Sequence, residues 1–156
     1  MKKYFCLLFL ALFLFSCGPD YILDEEKEIT NQAWTYGDSL SFNVDISNPT
    51  EIYNLYLDVE HSTEYGYQNM YIRLHSIFPD GKRVTEKVSV ELMAKGGRWK
   101  GDCNSEECEY RMSIHEGATF KQAGNYRFVI EQFMRKNPLE GVQNLGLKIE
   151  ETGNIR

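Results

Sequence analysis

Residues 53–61 read YNLYLDVEH, and their alternation decides the fold: Tyr53, Leu55, Leu57 and Val59 fall on one side, opposite Asn54, Asp58 and Glu60. A period of two is the signature of a half-buried strand, with one face in a core and one in water. The preceding stretch, SLSFNVDIS, repeats the pattern with Leu40, Phe42, Val44 and Ile46 against Ser41, Asn43 and Asp45. Downstream, QNMYIRLHSIF places Met70, Ile72 and Leu74 together, and Pro79-Asp80-Gly81 then supplies a turn. KRVTEKVSVEL sets Val84, Val88, Val90 and Leu92 against Thr85, Lys87, Ser89 and Glu91. EYRMSIH offers Tyr110, Met112 and Ile114, and near the end Leu145, Leu147 and Ile149 alternate with Gly146, Lys148 and Glu150. In GNYRFVIEQFM, Tyr126, Phe128 and Ile130 face one way while Val129 and Phe133 face the other, so this strand is expected to be covered on both sides. No window sustains a helical period. Asn48-Pro49, Gly96-Gly97 and Asn137-Pro138 mark loops. Seven turn-bounded strands without intervening helices predict an all-β protein: an antiparallel β-sandwich of seven to eight strands, jelly-roll or immunoglobulin-like.

The N-terminus carries a different signal. Lys2 and Lys3 precede an apolar run from Tyr4 to Phe15, which ends at Leu14-Phe15-Ser16-Cys17. That order describes a secretory signal peptide, and the cysteine just past the small residue describes the bacterial lipoprotein form, whose thiol is acylated. As a helix the run would span about 18 Å, short of the ~30 Å hydrocarbon core. Residues 1–16 are therefore expected to be a leader, Cys17 the lipidation site, 17–32 a lipid-anchored tether containing the acidic run DEEKE, and 33–156 a single domain. Gly18 stands where many lipoproteins retained at the inner membrane carry aspartate, which favours the outer membrane; the domain is expected to face the periplasm rather than the cell surface. Loss of Lys2 and Lys3 with the leader lowers the basic residues from 17 to 15 against 23 acidic, so the net charge deepens from −6 to −8. Binding to a nucleic acid backbone or an anionic lipid surface needs the opposite balance.

After processing, Cys103 and Cys108 remain as an even pair in DCNSEEC, which reads as a disulfide in an oxidising compartment. Free thiols, or a metal site adding His115, are the other readings of the same residues. The chain has no Gly-x-Ser-x-Gly elbow, no His-Glu-x-x-His and no phosphate-cradling glycine loop. His61 shares the inward parity of Val59, whereas His75 shares an outward face with Arg73 and His115 follows the parity of Arg111. No enzyme, cofactor or metal is implied; a hydrolase would need two carboxylates to meet in space.

Aromatic residues are more suggestive. Tyr65-Gly66-Tyr67 joins two strands, and Phe133 is flanked by Gln132 and Arg135, an apolar centre with a polar rim. Tyr65, Tyr67, Phe133 and Arg135 are the candidate partner-binding residues. Burial of the same rings as structural packing is the competing reading, as it is for Trp99 after Gly96-Gly97. Exposed tyrosines of this kind would also suit a carbohydrate-binding sandwich.

The run YNLYLDVEHSTEYGYQNMYIRL, then PDG, ELMAKGGRWKG, GNYRFVIEQFMR and GVQNLGLKIE resembles the GldH gliding-motility lipoprotein family in order and across nearly the whole expected domain. Family members tend to have proline where this chain has Gly66, and the Cys103–Cys108 loop resembles a local elaboration. The resemblance implies a non-catalytic, lipid-anchored envelope component. Its partners would be other envelope lipoproteins or components of the gliding and secretion machinery.

Overall fold

The computed structural model describes residues 18–156, so the expected leader 1–16 and Cys17 lie outside the described residues. Strands run in the order β1 (Asp20–Glu28), β2 (Ala33–Trp34), β3 (Leu40–Ile46), β4 (Glu51–Ser62), β5 (Asn69–Ile77) and β6 (Arg83–Glu91). They continue with β7 (Asp102–Cys103), β8 (Glu107–Ala118), β9 (Gly124–Gln132), β10 (Leu139–Glu140) and β11 (Val142–Ile155). The alternating residues do what the pattern requires: Leu40, Phe42, Val44 and Ile46 of β3 are buried, as are Tyr53, Leu55, Leu57 and Val59 of β4.

Eight long strands make two sheets, ordered β1-β11-β4-β8 (with short β7 beside β8) and β3-β9-β5-β6. Their pairing is nested: first with eighth (β1 with β11), second with seventh (β3 with β9), third with sixth (β4 with β8), fourth with fifth (β5 with β6). This is one long antiparallel hairpin rolled over itself, the roll being closed by β11 on β4 and β9 on β5. Of the two sandwich topologies open to the sequence, the arrangement is the jelly roll.

Two expectations need correction. Asp20–Glu28, placed by the sequence reading in a tether, is a strand that pairs with β11 from Asp20 opposite Glu151 to Glu28 opposite Asn144. A bulge between Tyr21 and Leu23 breaks its alternation, and as an edge strand it shows its acidic side chains to water while Leu23 and then Ile29 reach the core. The folded unit thus begins at Asp20, not Ala33. In β6, Val84 is exposed and Val88 half-buried, and Val90 alone of its valines is fully inside. β6 is the outer strand of its sheet, paired on one side only, and its first five residues are exposed.

The strand directions define two poles. β1 starts at one, beside the ends of β11 and β8 and the start of β4. At the other lie the end of β4, the starts of β3, β5 and β11, and the end of β9.

Candidate functional site

The second pole is built around Gln132. It continues the inward parity of Tyr126, Phe128 and Ile130, so its amide is driven into the sandwich and buried. There it organises the chain that follows. Its Nε2 donates to the carbonyls of Trp34 (3.5 Å) and Lys136 (3.3 Å), and its Oε1 accepts from the Met134 amide at 2.9 Å. The 133–136 turn is thereby fixed, and two further contacts hold it. The Phe133 amide donates to the Tyr71 carbonyl at 2.7 Å, and the Tyr36 hydroxyl donates to the Met134 carbonyl at 2.7 Å.

Between this turn and the outer face of β5 and β6 lies a groove of 870 Å³. Tyr36 (53% exposed), Tyr67 (41%) and Tyr71 (46%) open into it, together with Phe133 and Met134. Its remaining lining is Lys87, Ser89, Arg135 and Lys136. Phe133 is not free on both faces: the Arg73 guanidinium stacks 3.9 Å from the ring centre and the Lys87 ammonium lies 5.0 Å away. Cations on an aromatic face are held by the ring quadrupole.

Of the four residues singled out from sequence, the structure brings Tyr67, Phe133 and Arg135 to this groove and removes Tyr65. Tyr65 is 4% exposed, correcting its expected place on the surface. Its ring packs against His61 (5.7 Å) and Trp99 (6.4 Å), and Tyr67 meets it edge-on at 5.7 Å. Gly141, at φ 86°, lies alongside it, where a Cβ would be in ordinary contact 3.5 Å from Tyr65. Burial raises the Tyr65 phenol well above its ordinary pKa, with Tyr67 adding a smaller push. Trp99 is half-buried, its indole nitrogen donating to the Thr63 carbonyl at 3.2 Å. These rings plug the pole from within. Tyr36 and Tyr71 were not among the candidate partner-binding residues, and Gln132, expected in the polar rim beside Phe133, is buried instead; its inward parity, a polar side chain at a core position, was the available signal.

The histidines divide by position. His61 is buried, its Nδ1 2.9 Å from the Ser62 carbonyl, and burial lowers its pKa. His75 keeps the face it shares with Arg73 but is covered there rather than open, between Thr85 Oγ1 (2.8 Å) and Glu131 Oε2 (3.1 Å). His115 pairs with Glu86 at 3.0 Å, linking β8 of one sheet to β6 of the other. It lies far along β8 from Cys108, so the three residues of the alternative metal site do not converge. Cys103 and Cys108 face each other across β7 and β8, with their sulfurs 2.03 Å apart. Among the described residues, no cluster of three or more His, Cys, Asp or Glu is arranged to hold a metal ion.

On the outer face of the β1-β11-β4-β8 sheet, acidic side chains are paired with cations. Arg111 grips Asp58 through two nitrogens at 2.7 and 2.8 Å, and Lys148 bridges Asp24 (2.5 Å) and Asp58 (3.7 Å). The bond to Asp58 raises the Arg111 pKa further. Beside them Glu60, partly desolvated and held by Asn144, has its pKa raised, burial being the main cause.

The chain is thus an all-β jelly-roll sandwich with an aromatic groove at one pole. It belongs to the GldH lipoprotein family, whose model matches residues 21–149. It is 26% identical to a "Gliding motility lipoprotein GldH homolog" of Christiangramia forsetii, over 96% of each chain. It is 25% identical to the "Gliding motility lipoprotein GldH" of Flavobacterium johnsoniae, over 93% of this chain and 94% of that protein. Among solved structures, a chain of the infectious bursal disease virus Gx strain aligns with 87% of this chain at 13% identity and a TM-score of 0.34; this chain spans 32% of its length.

Proposed function

We propose that this protein is a lipid-anchored component of the gliding apparatus, or of the secretion machinery associated with it, and that it acts by holding a partner and not by catalysis. The observation that carries this reading is the placement of the groove. Cys17 precedes β1 by three residues, and three extended residues reach at most about 11 Å. An acyl chain on Cys17 would therefore hold the start of β1 close to the bilayer. The groove lies at the other end of β1 and β4, roughly 26 Å away at about 3.3 Å per residue. An anchor at one pole and an open aromatic surface at the other suit a module that presents itself to a partner standing off the membrane. In this reading the membrane is the outer membrane and the domain faces the periplasm.

Crosslinking in living cells, followed by detergent extraction, tests the reading. The wild type should recover other envelope proteins, and Tyr67→Ser with Tyr71→Ser should reduce that recovery while the melting temperature moves little, since exposed changes usually stay within about ±0.5 kcal/mol. Cys17→Ser should leave the membrane fraction. Recovery that is indifferent to the groove variants, or membrane retention of Cys17→Ser, would contradict it.

A further inference from the structure

Four cations surround the groove, and among the described residues none of them is paired with a carboxylate: Arg135 and Lys136 in the turn, Lys87 on β6, and Arg73 stacked on Phe133. No Asp or Glu lines the groove. This is the reverse of the chain as a whole, where 23 acidic residues outnumber 17 basic ones, and of the opposite sheet, where Arg111 and Lys148 are both neutralised. Unneutralised cations around a low-dielectric concavity create a local positive potential that an acidic molecule would otherwise lack.

We propose that the groove receives an extended acidic peptide segment of a protein partner, seating an aromatic or aliphatic side chain against Tyr71 and Met134 and placing carboxylates on Arg135, Lys136 and Lys87. This rests on the reading of the protein as a partner-holding component. Three observations favour a peptide over a glycan. The lining has no Asp, Glu, Asn or Gln to accept from sugar hydroxyls. The Tyr36 hydroxyl is committed to the Met134 carbonyl. The Arg73 guanidinium and the Lys87 ammonium both lie over the Phe133 ring, so cations compete there with a stacking sugar. Cationic side chains and a thioether beside exposed tyrosines instead match an apolar anchor flanked by carboxylates, with charge setting specificity and encounter rate.

The test uses the full chain in detergent as bait for phage-displayed random peptides. Selected sequences should be rich in Asp and Glu around an aromatic or aliphatic residue. A fluorescein-labelled copy of one should bind about tenfold or more weakly to the variant carrying Arg135→Glu and Lys136→Glu, a difference of about 1.4 kcal/mol. Its binding should weaken with added salt and be unchanged in Lys121→Glu, a charge reversal at the opposite pole. Selection without acidic bias, equal binding to the groove variant, or retention of polygalacturonate in preference to the peptide would overturn the proposal. If peptide selection fails while crosslinking still recovers envelope proteins through the groove, the acidic occupant is wrong and the complex-forming role stands. If both fail, the role falls as well.

Discussion

At the scale of single residues, His61 has the clearest consequence. Its imidazole is buried beside Trp99 (4.7 Å between ring centres), Nε2 has no hydrogen-bond partner among the described residues, and burial holds its pKa below 6.5. The unfolded chain therefore binds more protons once the pH drops below about 6.5, so the stability His61 contributes is present above that value and lost as the pH falls toward the folded pKa. Glu60 works in the other direction, since its raised pKa lets the folded state bind a proton before the unfolded chain does. Melting temperatures measured at about pH 7.5 and about pH 5.5 should differ, and the difference should shrink in His61→Phe, which keeps the ring contacts and removes the titration. An equal acid shift in both proteins would assign the effect to other groups. The inward place of His61 was legible from its parity with Val59. Burial of Tyr65 was not, because it depends on Trp99 and Gly141, which are distant in sequence and meet it only after the roll has closed.

At the scale of elements, alternation identified the long strands β3, β4, β5, β8, β9 and β11 and overreached in β6, where sequence periodicity cannot show that a strand lies at the edge of its sheet with its first half exposed. It missed β1. A run of five charged residues with one bulge carries no period of two, and an edge strand needs only one good face and a partner. The partner is β11, with β1 residues matched to it from Asp20 to Glu28. Hydrogen exchange separates the strand from a tether: the β1 amides that donate to β11 should exchange slowly, in step with β11 itself. Exchange as fast as an unstructured segment throughout residues 20–28 would restore the tether. The groove was only half legible for a related reason. Its walls come from four separated segments, around Tyr36, Tyr67–Tyr71, Lys87–Ser89 and Phe133–Lys136, and no local pattern announces that they converge.

At the scale of the molecule, both tryptophans serve as built-in reporters of orientation. Trp34, whose carbonyl accepts from Gln132, and Trp99, packed on His61, sit at the groove pole. If Cys17 carries the anchor, both are held away from the bilayer by the length of the sandwich. Brominated lipids in reconstituted vesicles should leave the intrinsic fluorescence of the lipidated protein unquenched. Strong quenching would mean that the domain lies with its groove against the membrane, where an acidic peptide could not enter.

The nesting of first strand with last also bears on how the chain reaches its native state. β11 is the latest strand in the described chain and yet occupies the interior of its sheet, between β1 and β4. Until it arrives, β1 has no sheet partner, and β4 is paired on one side only, with β8, its other edge standing open. Non-local closure of this kind makes folding slow. If Cys17 carries the anchor, a chain exported from its N-terminus would have its lipid end captured first and its keystone strand delivered after the other strands described. In the interval such a chain would be a membrane-bound, unfolded polymer with exposed strand edges, the state in which an envelope chaperone or protease would decide its fate.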